Sequence, residues 1–144
     1  MTTAIEETQH LHATTVAWSG RGVLLMGPSG SGKSGVALQL MAWGCDLVSD
    51  DGTVLSRRDG ALYAAAPAAI RGRIEARGIG LLASATVPAA RLHLAVDLGT
   101  VETHRLPPER VTEFLGCALP LLHSVESAHF PAAILQYLKA GRAA

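Results

Sequence analysis

Hydrophobic and polar positions change rhythm several times along the chain, and each change marks an element. Residues 1–11 are polar and aperiodic and are expected to fray as a flexible N-terminal segment. Residues 13–18 read as a strand closed by a turn at Ser19-Gly20. Val23-Leu24-Leu25-Met26 is an uninterrupted apolar run, the pattern of a strand covered on both faces. From Lys33 to Met41 the apolar positions Val36, Ala37, Leu40 and Met41 recur at helical spacing, and Gly44 supplies a stop. A second buried strand over residues 46–49 ends in Asp50-Asp51-Gly52. Two strands over 53–56 and 61–65 are joined through Arg57-Arg58-Asp59-Gly60, a hairpin signal. Residues 67–80 are less regular, with Arg71, Arg73, Glu75 and Arg77 at alternate positions among glycines. Residues 92–98 alternate as a strand, 111–122 hold another, and Pro131 opens a last helix over 132–139 that stops at Gly141.

The succession strand, glycine loop, helix, strand predicts a βαβ crossover. That crossover sets the loop and Asp50-Asp51 at the same edge of the sheet, where ligands bind in open α/β folds. No internal repeat or long linker interrupts the pattern, so residues 12–144 are expected to form one domain.

Composition narrows the function classes. The chain has 144 residues, 49% of them hydrophobic, enough for one core. Twelve basic and twelve acidic residues give a formal net charge of zero, which argues against a nucleic-acid binder. Only Lys33 and Lys139 are lysines; the other basic residues are arginines, so a lysine in a glycine loop calls for a specific explanation. Cys45 and Cys117 lie in apolar surroundings and read as buried free thiols. With no signal-peptide pattern and no apolar run long enough to span a bilayer, the reading is a soluble cytoplasmic protein without membrane contact.

Gly27-Pro28-Ser29-Gly30-Ser31-Gly32-Lys33-Ser34 fits G-x-x-x-x-G-K-[ST] at every fixed position. Glycines let the backbone wrap around phosphate oxygens, and the amides then point inward as an anion nest. The following helix adds the positive end of its dipole. Lys33 supplies a point charge near the β and γ phosphates of ATP, and the Ser34 hydroxyl can ligate Mg²⁺. Asp50-Asp51 offers carboxylates at a strand end, one for the metal and one for a positioned base, although Asp-Asp-Gly is also ordinary turn chemistry. Glu75 and Arg77 could reach one site, as metal ligand and phosphate partner, but taken alone they read first as a solvated ion pair on an edge strand. His12, taken alone, is a strand-start histidine, and the other histidines show no metal-ligand spacing.

These residues together resemble a known family. His12, the run 22–34, Leu47-Val48-Ser49-Asp50-Asp51, and Ile74-Glu75-Ala76-Arg77-Gly78-Ile79-Gly80 are similar, in order and spacing, to the catalytic domain of HPr kinase/phosphorylase. The resemblance implies an α/β P-loop domain with a mixed sheet and flanking helices, of the HPr kinase and phosphoenolpyruvate carboxykinase fold. It implies a Mg·ATP-dependent serine kinase acting on HPr, the phosphocarrier of the bacterial sugar phosphotransferase system, and a phosphorylase that removes the same phosphate. By that resemblance Asp50 is the catalytic base, Asp51 and Glu75 join Ser34 at Mg²⁺, Arg77 stabilises phosphoryl charge, and His12 lies near the transferred group. The chain resembles the short, single-domain form. The family's late glycine-arginine-asparagine run is replaced by Leu119-Pro120-Leu121-Leu122-His123-Ser124, and the chain ends soon after residue 139, which bears on phosphorolysis, homo-oligomer formation and HPr docking. Two other readings stay alongside: a small-molecule kinase of another P-loop class, with Arg57, Arg58, Arg71 and Arg73 on a lid, and a non-catalytic nucleotide-binding switch.

Overall fold

In the computed structural model, which describes residues 7–144, the chain begins with three strands: β1 (Thr8–Leu11), β2 (Ala13–Trp18) and β3 (Arg21–Met26). Helix α1 (Lys33–Ala42) follows, then β4 (Asp46–Ser49), β5 (Thr53–Arg58) and β6 (Ala61–Ala65). A 3₁₀ turn at Ala68–Ile70 leads into β7 (Arg73–Ala76) and β8 (Gly80–Ala83). The long β9 (Ala90–Val101), the hairpin of β10 (Val111–Phe114) and β11 (Cys117–Ser124), and helix α2 (Phe130–Ala140) complete it.

Nine strands form one mixed sheet in the order β1-β5-β6-β9-β3-β2-β4, with β11 added to β9 and β10 to β11; β7 and β8 pair separately. Strand β9 carries β6 along its start and β11 along its end. Strands β3 and β11 run parallel to β9, and β4 shares their direction because β2 is antiparallel to both β3 and β4. The carboxyl ends of β3, β4, β9 and β11 therefore gather at one edge. The βαβ expectation holds in direction but not in adjacency, since β2 lies between β3 and β4.

The apolar run of β3 splits between two cores by the period of two. Val23 and Leu25 face a cluster with Ala37 and Leu40 of α1 and Ile134 and Leu138 of α2. Leu24 faces the other way, toward Leu55, Leu62, Leu92 and Leu119, a cluster supplied by strands alone. Both helices thus cover one face of the sheet, and the other face is closed by the curl of the sheet itself. Cys45 and Cys117 are free and buried, as expected, and burial, helped by Asp46 and opposed by Lys139, pushes the Cys45 thiol up to about 11.

One expectation is corrected. Thr8–Leu11 is not frayed but pairs with β5 as an edge strand, from Thr8 opposite Ser56 to Leu11 opposite Thr53. Its backbone groups find ladder partners there, while its alternating polar side chains suit an edge open to water. The first six residues of the expected flexible segment lie outside the described residues.

Candidate active site

The glycine loop leaves β3 at the gathered strand ends and turns into α1. Gly27 has φ 144°, and a Cβ there would lie 2.5 Å from the Ser31 hydroxyl oxygen, so only glycine fits the departure. Helix α1 has Gly32 at its N-cap in the left-handed region, no side-chain cap and no acidic residue in its first turn. The amides of that turn are left for a ligand, and the helix dipole favours an anion. Lys33, buried, donates to the carbonyls of Gly27 at 2.8 Å and Pro28 at 3.1 Å, which holds its ammonium inside the ring of the loop.

A cavity of about 420 Å³ lies over this helix end. Ser29, Gly30, Gly32, Lys33 and Ser34 of the loop and helix start line it together with Asp51, Glu75 and Arg77. Arg77 reaches over the loop, its Nη2 3.9 Å from where a Cβ of Gly30 would stand. The two carboxylates at the end of β4 have different surroundings. Asp50 is 7% exposed. Its Oδ1 accepts from Ser34 Oγ at 2.7 Å and Thr14 Oγ1 at 2.9 Å, and its Oδ2 accepts the Glu75 amide at 2.9 Å. Asp51, with its side chain 62% exposed, has φ 58°, a conformation uncommon for a non-glycine residue. That backbone turns its carboxylate into the cavity, where His12 Nε2 stands 3.1 Å from Asp51 Oδ1 and 3.4 Å from Ser29 Oγ.

The residues that the resemblance assigns to the site are in or against one cleft: the loop, Lys33, Ser34, Asp50, Asp51, Glu75, Arg77 and His12, whereas Arg57, of the lid reading, donates to the Leu115 carbonyl instead. Thr14 was missed. It is fully buried in β2, donates to Asp50 and accepts the Asp51 amide at 3.1 Å. The only sequence signal was a Thr14-Thr15 pair inside an otherwise apolar strand. Among the described residues no group of three or more His, Cys, Asp or Glu side chains is placed to hold a metal. An oxygen pair, Ser34 with Asp50, does stand at the loop, and Mg²⁺ keeps several waters and substrate oxygens, so the set fits that ion better than one needing a protein cage. No helix among the described residues is long and apolar enough to cross a membrane.

Comparison with known proteins bears on the family and the fold. The HPr Serine kinase C-terminal domain family matches residues 3–108. An HPr kinase/phosphorylase from Aromatoleum aromaticum is 36% identical over 135 residues, covering 84% of this chain and 42% of the relative. One from Clostridium botulinum (strain Eklund 17B / Type B) is 42% identical over 72 residues, covering 50% of this chain and 24% of the relative. The chain thus spans less than half the length of the curated relatives it matches. The solved HPr(Ser) kinase/phosphatase from Coxiella burnetii superposes with a TM-score of 0.77 at 25% identity, over 91% of this chain and 94% of that one. A P-loop α/β fold, the four motifs in one cleft and the family match converge: the chain belongs to the HPr serine kinase C-terminal domain family.

Proposed function

We propose that the chain is a Mg·ATP-dependent protein serine kinase acting on HPr or a closely related phosphocarrier, and that in a second reaction the same cleft transfers the phosphoryl group from phosphoserine to inorganic phosphate, forming pyrophosphate and freeing the serine hydroxyl. The observation that carries this reading is the uncapped helix end of the glycine loop beside an exposed carboxylate–histidine pair at one cavity. The loop amides and Lys33 bind the β and γ phosphates. The serine oxygen bonds to the terminal phosphorus as the bond from that phosphorus to the β–γ bridging oxygen breaks, releasing ADP, and the serine proton passes to a carboxylate.

The division of roles we propose reverses the one expected from the resemblance. Asp51 takes the serine proton, because it is exposed in the cleft and held by His12. Asp50 stands on the metal side with Ser34, because it is buried and already accepts three hydrogen bonds. Ser34 and Asp50, with Glu75 of the same cleft, are the residues that would hold Mg²⁺, which supplies charge neutralisation on the phosphates. Arg77 faces the charge that develops on the transferred group, and positioning supplies most of the acceleration.

The test is labelled ATP, Mg²⁺ and purified HPr. Phosphoserine should form on HPr, and Asp51→Asn should lower kcat by at least about a hundredfold, the usual worth of a positioned base, with nucleotide affinity retained. Absence of phosphoserine with the unaltered protein, or a wild-type rate in Asp51→Asn, would reject the reading or the base assignment respectively.

A further inference from the structure

We propose that the outer face of the β7–β8 hairpin docks the acceptor-bearing segment of the protein substrate, which meets it with an apolar side chain beside the acceptor hydroxyl and with carboxylates around it. This rests on the kinase reading above. Strand β7 buries Ile74 and Ala76 and turns Arg73 and Glu75 outward. Glu75 pairs directly with Leu81 of β8, so the two side chains share the outward face. The connecting turn, closed by the Ile79 amide on the Ala76 carbonyl at 2.9 Å, carries Arg77 over the glycine loop and Ile79 at its tip. Ile79 is 78% exposed and Leu81 67%. Of the eight large apolar side chains exposed among the described residues, Ile79 and Leu81 fall on the turn and the outward face, whereas Leu82, paired with the buried Ile74, lies on the opposite face. Scattered exposed apolar residues are ordinary, but a cluster continuous with a ligand cleft marks an interaction surface.

Charge selects the occupant. Arg71 and Arg73 are exposed on the same segment, and among the described residues neither they nor Arg77 forms an ion pair. In a chain of zero net charge this is a local basic rim, suited to a partner carrying carboxylates. A small acceptor confined to the cavity would leave Ile79 and Leu81 in water. A second copy seated here would cover the cleft mouth and obstruct the acceptor. A folded protein presenting a serine beside an apolar side chain uses both the patch and the cleft.

The experiment compares Ile79→Asp and Leu81→Asp, with Leu81→Ala as a milder variant, in transfer to HPr, nucleotide binding and sedimentation. The aspartates should raise KM for HPr tenfold or more, with the alanine intermediate and with nucleotide affinity, saturating kcat and molecular mass unchanged. An unaltered KM overturns the docking surface while leaving the kinase reading intact. A changed molecular mass that tracks the loss of transfer overturns it in favour of a self-interface. Failure of the unaltered protein to phosphorylate HPr while still binding nucleotide removes the kinase reading and the docking surface together.

Discussion

Thr14 Oγ1 donates to Asp50 Oδ1 at 2.9 Å and accepts the Asp51 amide at 3.1 Å, so one buried hydroxyl orders both neighbouring carboxylates. Ser34 and the Glu75 amide complete the set around Asp50, which ties β2, α1 and β7 together at the cleft. The nearly isosteric Thr14→Val keeps the volume and removes the hydrogen bonds. It is expected to cost about 1–3 kcal/mol, the penalty for buried groups left without partners, with Thr14→Ser recovering most of it. Urea midpoints of the three proteins check this, and equal midpoints for valine and threonine would mean the hydroxyl contributes nothing. The chemistry-bearing residues were legible because phosphate binding demands glycine, lysine and a hydroxyl in fixed order. Thr14 was not, since a threonine in a strand serves packing as readily as a hydrogen bond.

Among the elements, three hairpins turn through two residues in the left-handed region: Ser19-Gly20, Asp59-Gly60 and Leu115-Gly116. Paired positive φ values match the twist of the flanking strands. The first two were readable from their sequences. The third was not, because leucine is a poor left-handed residue, and residues 111–122 therefore read as one strand where the fold makes two. Gly20 has φ 80°, and a Cβ there would meet nothing within 4 Å. Gly20→Ala should therefore destabilise by about 1 kcal/mol through backbone conformation alone, read as a lower denaturant midpoint with unchanged slope. The hairpin of β7 and β8 escaped notice for another reason. Its glycines and alternating arginines obscure any apolar period, and β8 buries none of its residues.

Across the whole molecule, the carboxyl end of β9 is fastened by Glu102. Its side chain accepts from Arg110 Nε at 3.1 Å and Nη2 at 3.0 Å and from the amides of Thr103 and His104, while its own amide donates to the Ser124 carbonyl at 2.8 Å. The Arg110 hydrogen bonds, with those amides, hold the carboxyl down to about 2 against the opposing effect of burial, from an ordinary value of 4.5. A depressed folded-state value means the stabilisation is complete above pH 4.5 and is lost as pH falls toward 2. The unaltered protein should thus lose stability on acidification through that window more steeply than Glu102→Gln, as chemical denaturation at successive pH values would report. Parallel slopes for the two proteins would mean that Glu102 is not linked to folding.

What the sequence determined by itself was the set of local elements and the identity of the phosphate-binding loop. Both follow from short-range rules: periodicity assigns strands and helices, and a ligand-wrapping turn needs a particular run of residue types. The placement of β2 between β3 and β4, the pairing of β1 on the edge, and the different surroundings of Asp50 and Asp51 were decided only by the tertiary structure. Adjacent carboxylates in a chain are equivalent until strand direction, burial and the hydroxyls packed against them make one a buried acceptor and leave the other facing the cleft. That difference arises from contacts between β2, α1 and β7, segments up to tens of residues apart, which no local pattern encodes.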